Sequence, residues 1–432
     1  MDTKDIGKPG SGKGVGFEIH RLMGELFPIC RSITGDGFRR TLEILHRHIP
    51  LEVREVPSGT RVFDWTVPKE WNIHDAYIKD PKGEKIVDFR KSNLHVVSYS
   101  VPIHTTLSLE ELKRHLYTLP DLPNWIPYRT SYYNQGWGFC LSHRQFLALE
   151  EGDYEVVIDS TLADGSLTYG EWLLRGETDE EILISTHACH PSLANDNLSG
   201  VGLATLLAKH MGAMPRRFSY RFLFIPGTIG AITWLAQNEH KTGKIRNGLV
   251  ITGVGDRGDI AYKRSRRGNT EIDRAAAHVL GRSGQPYRLL DFHPYGYDER
   301  QYCSPGFNLP VGRFSRTPFG EYPEYHTSAD NMEFVSADSL ADSYEMIRSI
   351  IDVLEGNRVY VSRNQKCEPQ LGKRELYSSA GANELPLLWV LNMSDGGNSL
   401  LDIAERSGLE FSALKKAADS LAKANLLEES GL

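Results

Sequence analysis

The strongest constraint on the fold is an alternation of two hydrophobic periods over roughly residues 171 to 255. "EWLLRG" and "EEILIST" are apolar runs of strand length, and "LSGVGLATLLAKHM" spaces its apolar residues along one helix face. "YRFLFIP" is again a strand, "IGAITWLAQNEH" a helix and "GLVITGVG" a further strand. This order predicts an α/β fold in which a mostly parallel central sheet carries helices on both faces, with ligands expected outside the carboxyl ends of the strands. "STHACH" and "PGTIG" both follow such ends, and the amphipathic "ADSLADSYEMIRSIIDVLEGN" is expected to close the core.

Around this centre the texture changes. Helical spacing puts Phe17, Ile19, Leu22, Met23, Leu26 and Phe27 near one face, "GFRRTLEILHRHI" repeats it, and "LEVREVPSG" reads as a strand. Residues 60–163 alternate in short segments broken by Pro, Gly and Asp, with aromatics dense in "WIPYRTSYYNQGWGF", and are expected to form an inserted β-rich domain. Residues 366–432 hold three helical patterns, "NELPLLWVLNM", "SLLDIAERSG" and "EFSALKKAADSLAKANLL", with Ser394-Asp395-Gly396-Gly397 as the first turn; this reads as a winged helix. The organisation expected is a flexible leader over 1–16, an α/β domain over 17–59 and 164–362, the insertion, and the winged helix; 432 residues have room for two or three domains.

A winged helix suggests DNA, but from Asn383 onward eight acidic side chains oppose four basic ones. Phosphate neutralisation supplies most non-specific DNA affinity, so packing or dimerisation is expected in its place. The formal net charge of −7 gives no general pull to nucleic acid or anionic membrane. No window approaches 18 uninterrupted apolar residues, and the first residues lack a signal-peptide pattern. Five scattered cysteines are no disulfide framework. These features lead to the expectation of a cytoplasmic protein with reduced thiols, no membrane or nucleic-acid partner, and a homo-oligomeric state. "GKPGSGKG" comes close to a phosphate-binding loop, yet Gly14 stands where the hydroxyl belongs and no strand precedes it.

The chemistry gathers in "ISTHACHPSLANDNLSG", residues 184–200. His187 would arrive at the sheet's carboxyl edge with Asp196 just before a helix. Imidazole and carboxylate are good zinc ligands, and a third from elsewhere would leave a position open for water or substrate. His326 in "PEYHTSADN" is the candidate third, with Asp330 after it. Cys189 or His190 could bind in place of His187 or beside it, or Cys189 could be a small buried thiol. A hydrogen-bonded structural histidine and an Asp-Asn helix cap are the plainer alternatives.

"H-x-C…ANDNLSG" followed by strand, helix, strand and "YHTSAD" resembles the core of the co-catalytic zinc aminopeptidases of the bacterial leucyl aminopeptidase type. The longer strings "LFPICRSITGDG", "WGFCLSH", "DGSLTYGE" and "HPSLANDNLSG" are similar to bacterial aminopeptidase-like proteins with an inserted β domain and a C-terminal winged helix, often associated with polysaccharide biosynthesis. The resemblance implies that His187, Asp196 and His326 bind zinc, Asp196 as the bridging carboxylate. It also implies a later acid, for which Asp256 is the candidate, though Asp256 could equally cap a turn.

The departures are as informative. Where those enzymes have E-E-x-G, this chain has Gly227-Thr228-Ile229-Gly230, so neither the general base nor a ligand of a second zinc is filled there. Glu324 and Glu321, near His326, are the replacement bases, unless they are merely solvated. Asp298 resembles an acidic position before a substrate-pocket loop, and Arg300 beside it and Arg266 in "KRSRRG" could hold an anionic substrate group. The expected function is zinc-dependent hydrolysis of an amide bond in a small aminoacyl, acylamino or short peptide-like compound, in the setting of polysaccharide or specialised-metabolite biosynthesis. The alternative is a catalytically degenerate peptidase fold serving in binding or assembly.

Overall fold

The structure, a computed structural model, describes residues 12–376 and 384–430. The chain up to Gly268 and residues Pro286–Glu345 make one compact unit; Asn269–Gln285 and residues from Met346 onward make a second.

The first unit is built on an eight-stranded sheet. Its strands are β1 (Glu52–Pro57), β2 (Ser166–Leu174), β3 (Glu181–His187), β4 (Ser219–Ile225), β5 (Ile245–Ile251), β6 (Ile260–Lys263), β7 (Tyr287–Leu290) and β8 (Val311–Ser315). They lie in the order β1-β2-β4-β3-β5-β8-β6-β7. As the apolar runs predicted, the centre is parallel: β4 with β3, β3 with β5 and β5 with β8. Every residue of β3 and β4 is buried, which is why each carries an apolar run that does not alternate, Ile182–Ile184 and Phe222–Ile225. On the flanks β6 with β7 is again parallel, while β1 with β2, β2 with β4 and β8 with β6 run antiparallel, so the parallel pairs predicted form the majority of a mixed sheet. Residues 175–180, which join β2 to β3, are too few for a parallel crossover, which needs roughly a dozen residues.

Helices cover both faces. Neighbours along a strand point to opposite sides, and Ser185 meets the hydroxyl of Tyr302 at 2.9 Å on one side while Thr186 accepts from Asn197 Nδ2 at 2.8 Å on the other. Tyr302 closes a short helix, Glu299–Tyr302. On the opposite side the helix Gly200–Gly212 packs on β3, β4 and β5 and against the helix Gly12–Leu26. Gly202 permits that approach, since a Cβ there would come within 3.0 Å of Ile19 Cγ2 and 3.3 Å of Met23 Cγ. Ile19, Leu22, Met23 and Leu26 are buried as expected, whereas Phe17 is 65% exposed. The helix starts at Gly12, inside the segment expected to be a leader, so the end of the "GKPGSGKG" stretch is helical; Gly7 to Ser11 lie outside the described residues.

Residues 60–163 carry an antiparallel sheet of their own, in the order Lys85–Asp88, Glu70–Lys79, Asp153–Ala163, Ile103–Ser108. From this region Ile126–Tyr128 reaches the loop of His326. Tyr128 N donates to His326 O at 2.8 Å, Ser328 N to Ile126 O at 2.8 Å and Ile126 N to Ser328 Oγ at 3.0 Å.

In the second unit the three predicted helices form as Leu385–Met393, Leu400–Ser407 and Phe411–Lys423. The stretch expected to be the first turn is in fact a strand: Asp395–Ser399 pairs with Val359–Ser362, Gly396 supplying a φ of 87°. Leu427–Glu429 completes the wing. The helix Glu271–Arg282 belongs to this unit, its Arg274 bonded to Glu405 at 2.7 and 2.9 Å and also to Asp402, and its His278 accepting from Phe411 N at 3.3 Å. The five cysteines, Cys30, Cys140, Cys189, Cys303 and Cys367, are unbridged.

Candidate metal centre

Asp196 lies at the centre of a histidine cluster at the carboxyl edge of the sheet. His187, the last residue of β3, meets its Oδ1 through Nε2 at 2.9 Å, and His326 meets Oδ2 through Nε2 at 3.0 Å. His190 Nε2 is 4.0 Å from Oδ2. His187 and Asp196 are fully buried and His190 nearly so. The ligand atoms of His187, His190 and Asp196 all lie within 4.8 Å of one another. Imidazole nitrogens around one buried carboxylate, with His326 on the more open side, form a donor set suited to a divalent cation.

The flanking asparagines explain "ANDNLSG". Between Ala194 and Ser199 the backbone makes an irregular turn, leaving helical angles at Asp196 and Asn197. Asn197 donates to Thr186 Oγ1 and His187 O and accepts from Gly253 N and Gly200 N. Asn195 accepts from Gly255 N at 2.8 Å and donates to Asp256 at 3.0 Å. Gly200 is required, since a Cβ would come within 2.5 Å of Asn197 Oδ1 and 2.7 Å of Ile251 O. The turn is thereby tied to the ends of β3 and β5, and Asp196 is presented between them. His326 sits at a φ of 56°, a region costly for a non-glycine residue, and Tyr128 holds its carbonyl there. Arg31 in "LFPICRSITGDG" fixes the next segment by donating to His190 O at 2.9 Å and Leu26 O at 2.6 Å.

Burial opposes the charge on Asp196, but the surrounding His190, His187 and His326 hold its carboxyl well below the usual range. Burial drives His190 down to about 3, against the pull of Asp196, so it is neutral, the form in which imidazole binds metal. Burial also works against a charged His187, but its hydrogen bond and attraction to Asp196 outweigh this and raise its pKa. Burial pushes the Cys189 thiol up to about 12, and it donates to Gly227 O at 3.8 Å. The alternatives left open for this pair divide accordingly: His190 stands beside His187, and Cys189 is a buried, protonated thiol.

The other predicted site residues scatter. Asp256 is turned away to Asn195, Thr317 Oγ1 at 2.6 Å and Gly258 N at 2.8 Å, which makes it a brace for the Asn195 turn and leaves it outside the histidine group. Glu321 is exposed and paired with Arg288, 3.2 Å at the longer contact. Glu324 is half-buried beside His326, its carbonyl accepting from Thr327 N and Oγ1. Arg266 is exposed and donates to Asn308. Arg300 lies 5.8 Å over the Tyr295 ring. Asp298 is fully buried next to Tyr297, whose ring stacks on His187 with centroids 5.0 Å apart. Burial pushes the Asp298 carboxyl up to about 7, opposed by His187 and Arg300.

Aromatic rings surround the cluster. Tyr325 stacks on His326 at 4.0 Å, Phe319 lies 5.2 Å from Tyr297 and 5.4 Å from Tyr295, and Tyr128 sets its edge to His190 and His326 at 5.2 and 5.1 Å. The contribution of Tyr128 was missed from sequence; the density of aromatics in "WIPYRTSYYNQGWGF" was the one available signal. Asp330, noted only as following His326, accepts from Asn195 N at 2.6 Å and Asp196 N at 2.9 Å.

Residues 20–357 match the family described as Domain of unknown function (DUF4910), and residues 358–429 match a winged helix-turn-helix family. A relative from Clostridium acetobutylicum, bearing the name of a polysaccharide biosynthesis protein with aminopeptidase-like domain, is 56% identical over 419 residues covering 96% of each chain. A crystal structure from Clostridium acetobutylicum, described as a peptidase, matches with a TM-score of 0.94 and 55% identity over 97% of each chain. The zinc aminopeptidase BSAP of Bacillus subtilis matches with a TM-score of 0.58 at 11% identity, covering 80% of this chain and 95% of that one, a likeness of fold. The chain belongs to the DUF4910 family, an aminopeptidase-like fold that ends in a winged helix.

Proposed function

We propose that this protein is a zinc-dependent hydrolase of an amide bond in a small aminoacyl or acylamino substrate. The observation that carries this reading is the gripping of one buried carboxylate, Asp196, between His187 and His326, with neutral His190 alongside. His187, His190, Asp196 and His326 would hold the ion. Zinc supplies polarisation of a carbonyl and a lowered pKa for water when bound at such residues. The chain's own part is to keep His190 neutral by burial, to aim the ligands through the two asparagines and Asp330, and to exclude bulk water with Tyr128, Tyr297 and Tyr325. The aromatic wall of Tyr295, Tyr297 and Phe319 suits an organic group with a flat or apolar face. The naming of the Clostridium acetobutylicum relative for polysaccharide biosynthesis supports a substrate linked to a sugar.

A second reading, a binding or assembly protein on a peptidase fold, is favoured by Gly227-Thr228 standing where a glutamate pair would be expected. Zinc-loaded protein assayed on a panel of aminoacyl p-nitroanilides and N-acyl amides separates the two. Turnover lost on His326→Ala is the result expected of the hydrolase; zinc binding with no turnover is that of the binding protein.

A further inference from the structure

The glycine at 227 leaves amide hydrolysis without its usual proton acceptor, and the structure shows what borders the space. A Cβ on Gly227 would lie 3.1 Å from His187 Cβ and 3.6 Å from Asp298 Oδ1. A side chain at 227 would therefore project between the first histidine of the cluster and the Asp298 carboxylate. Asp298 is 0% exposed, and neither of its oxygens has a hydrogen-bond partner among the described residues. Leaving a buried carboxyl unsatisfied is costly, and such a group needs a reason to persist. Its neighbours are already committed: Glu299 accepts from Lys263 at 2.8 Å, and Tyr297 stacks on His187, which fixes the register of the loop against the histidine. Of the two rivals on the His326 loop, Glu321 and Glu324, the first is held by Arg288.

We propose that Asp298 is the proton acceptor of the hydrolysis, entering from another loop the place that a side chain at Gly227 would fill. The inference rests on the hydrolase reading above. The oxygen of a water bonds to the carbonyl carbon as its proton passes to the Asp298 carboxylate. That proton then goes to the departing nitrogen as the C–N bond breaks, leaving a carboxylic acid and an amine, with no other reactant consumed.

The test uses the full-length, zinc-loaded chain and the same substrate panel. Asp298→Asn, which keeps the buried shape, is expected to lower kcat by about 10²–10⁴-fold while zinc stoichiometry, KM and the thermal midpoint stay at wild-type values. Asp298→Glu, or formate added to Asp298→Ala, is expected to restore part of the turnover. Wild-type kcat in Asp298→Asn, or no recovery from either glutamate or formate, overturns the assignment and leaves the hydrolase reading standing. Loss of zinc in Asp298→Asn also overturns it, since that is the behaviour of a ligand. Wild-type protein that binds zinc but turns over nothing in the panel overturns the hydrolase reading and this assignment with it.

Discussion

Asp330 accepts the backbone amide of Asp196 at 2.9 Å, so the residue at the centre of the histidine cluster is positioned by the loop that also carries His326. Asp330 takes the Asn195 amide as well, at 2.6 Å, and all three residues are fully buried. Asp330→Ala leaves those amides without an acceptor, at about 1–3 kcal/mol each. Zinc affinity is expected to fall about 10–100-fold, as for other groups that orient ligands. Titration against a chromophoric chelator checks this, and unchanged affinity would remove Asp330 from the account.

Arg221 on β4 links the sheet's centre to its antiparallel flank. It makes a bidentate pair with Glu181 on β3, at 2.6 and 2.7 Å, and also contacts Glu171 on β2. All three side chains are buried. Arg221→Ala strands two carboxylates in the interior and is expected to cost about 3–5 kcal/mol in urea unfolding. A loss below about 1 kcal/mol would show that the cluster is solvated.

Acid sensitivity follows from the Arg39 and Glu70 pair. Arg39 bonds both Glu70 oxygens, at 2.6 and 2.8 Å, and this, against a burial penalty, pulls the Glu70 carboxyl down to about 2. The folded pKa lies below the unfolded value of about 4.3, so the stabilisation is full above about pH 4.3 and is lost as pH falls towards about 2. Unfolding free energy measured across that window should decline, and Glu70→Gln should flatten its share of the slope. An identical slope in the variant would assign the acid sensitivity elsewhere.

The winged helix is expected not to bind DNA through its acidic surface. At the start of Phe411–Lys423, the helix that would read a groove, Phe411 N is taken by His278, and along it Lys415 is paired with Asp419. Full-length protein titrated with random duplex DNA should show no affinity that falls steeply with salt. A steep salt dependence would reverse the argument.

The fold's centre was legible because parallel strands buried on both faces carry apolar runs that do not alternate, as Ile182–Ile184 does on β3 and Phe222–Ile225 on β4. The antiparallel flanks were hidden by the same signal, since an apolar run carries no direction; the short link at 175–180 was the clue. Within the site, the His187 and Asp196 spacing and the distant His326 were readable because strand ends and pre-helical turns meet at the sheet edge. Glu321 could not be separated from Glu324 in sequence, as an acid beside a ligand looks the same whether it faces the ion or a surface arginine. The packing of Tyr128 depends on where the residues 60–163 fold back, which no local pattern encodes. The gap at Gly227 and the candidacy of Asp298 were both visible in sequence, but the adjacency of the two, far apart along the chain, was not.

Zinc content of the purified full-length chain, grown with ample zinc and dialysed, tests the central claim most directly when wild type is set against His187→Ala and His326→Ala. The account requires stoichiometric zinc in the wild type and its loss or marked weakening in both variants, each remaining folded. Metal-free wild type, or variants that keep their zinc, would contradict it.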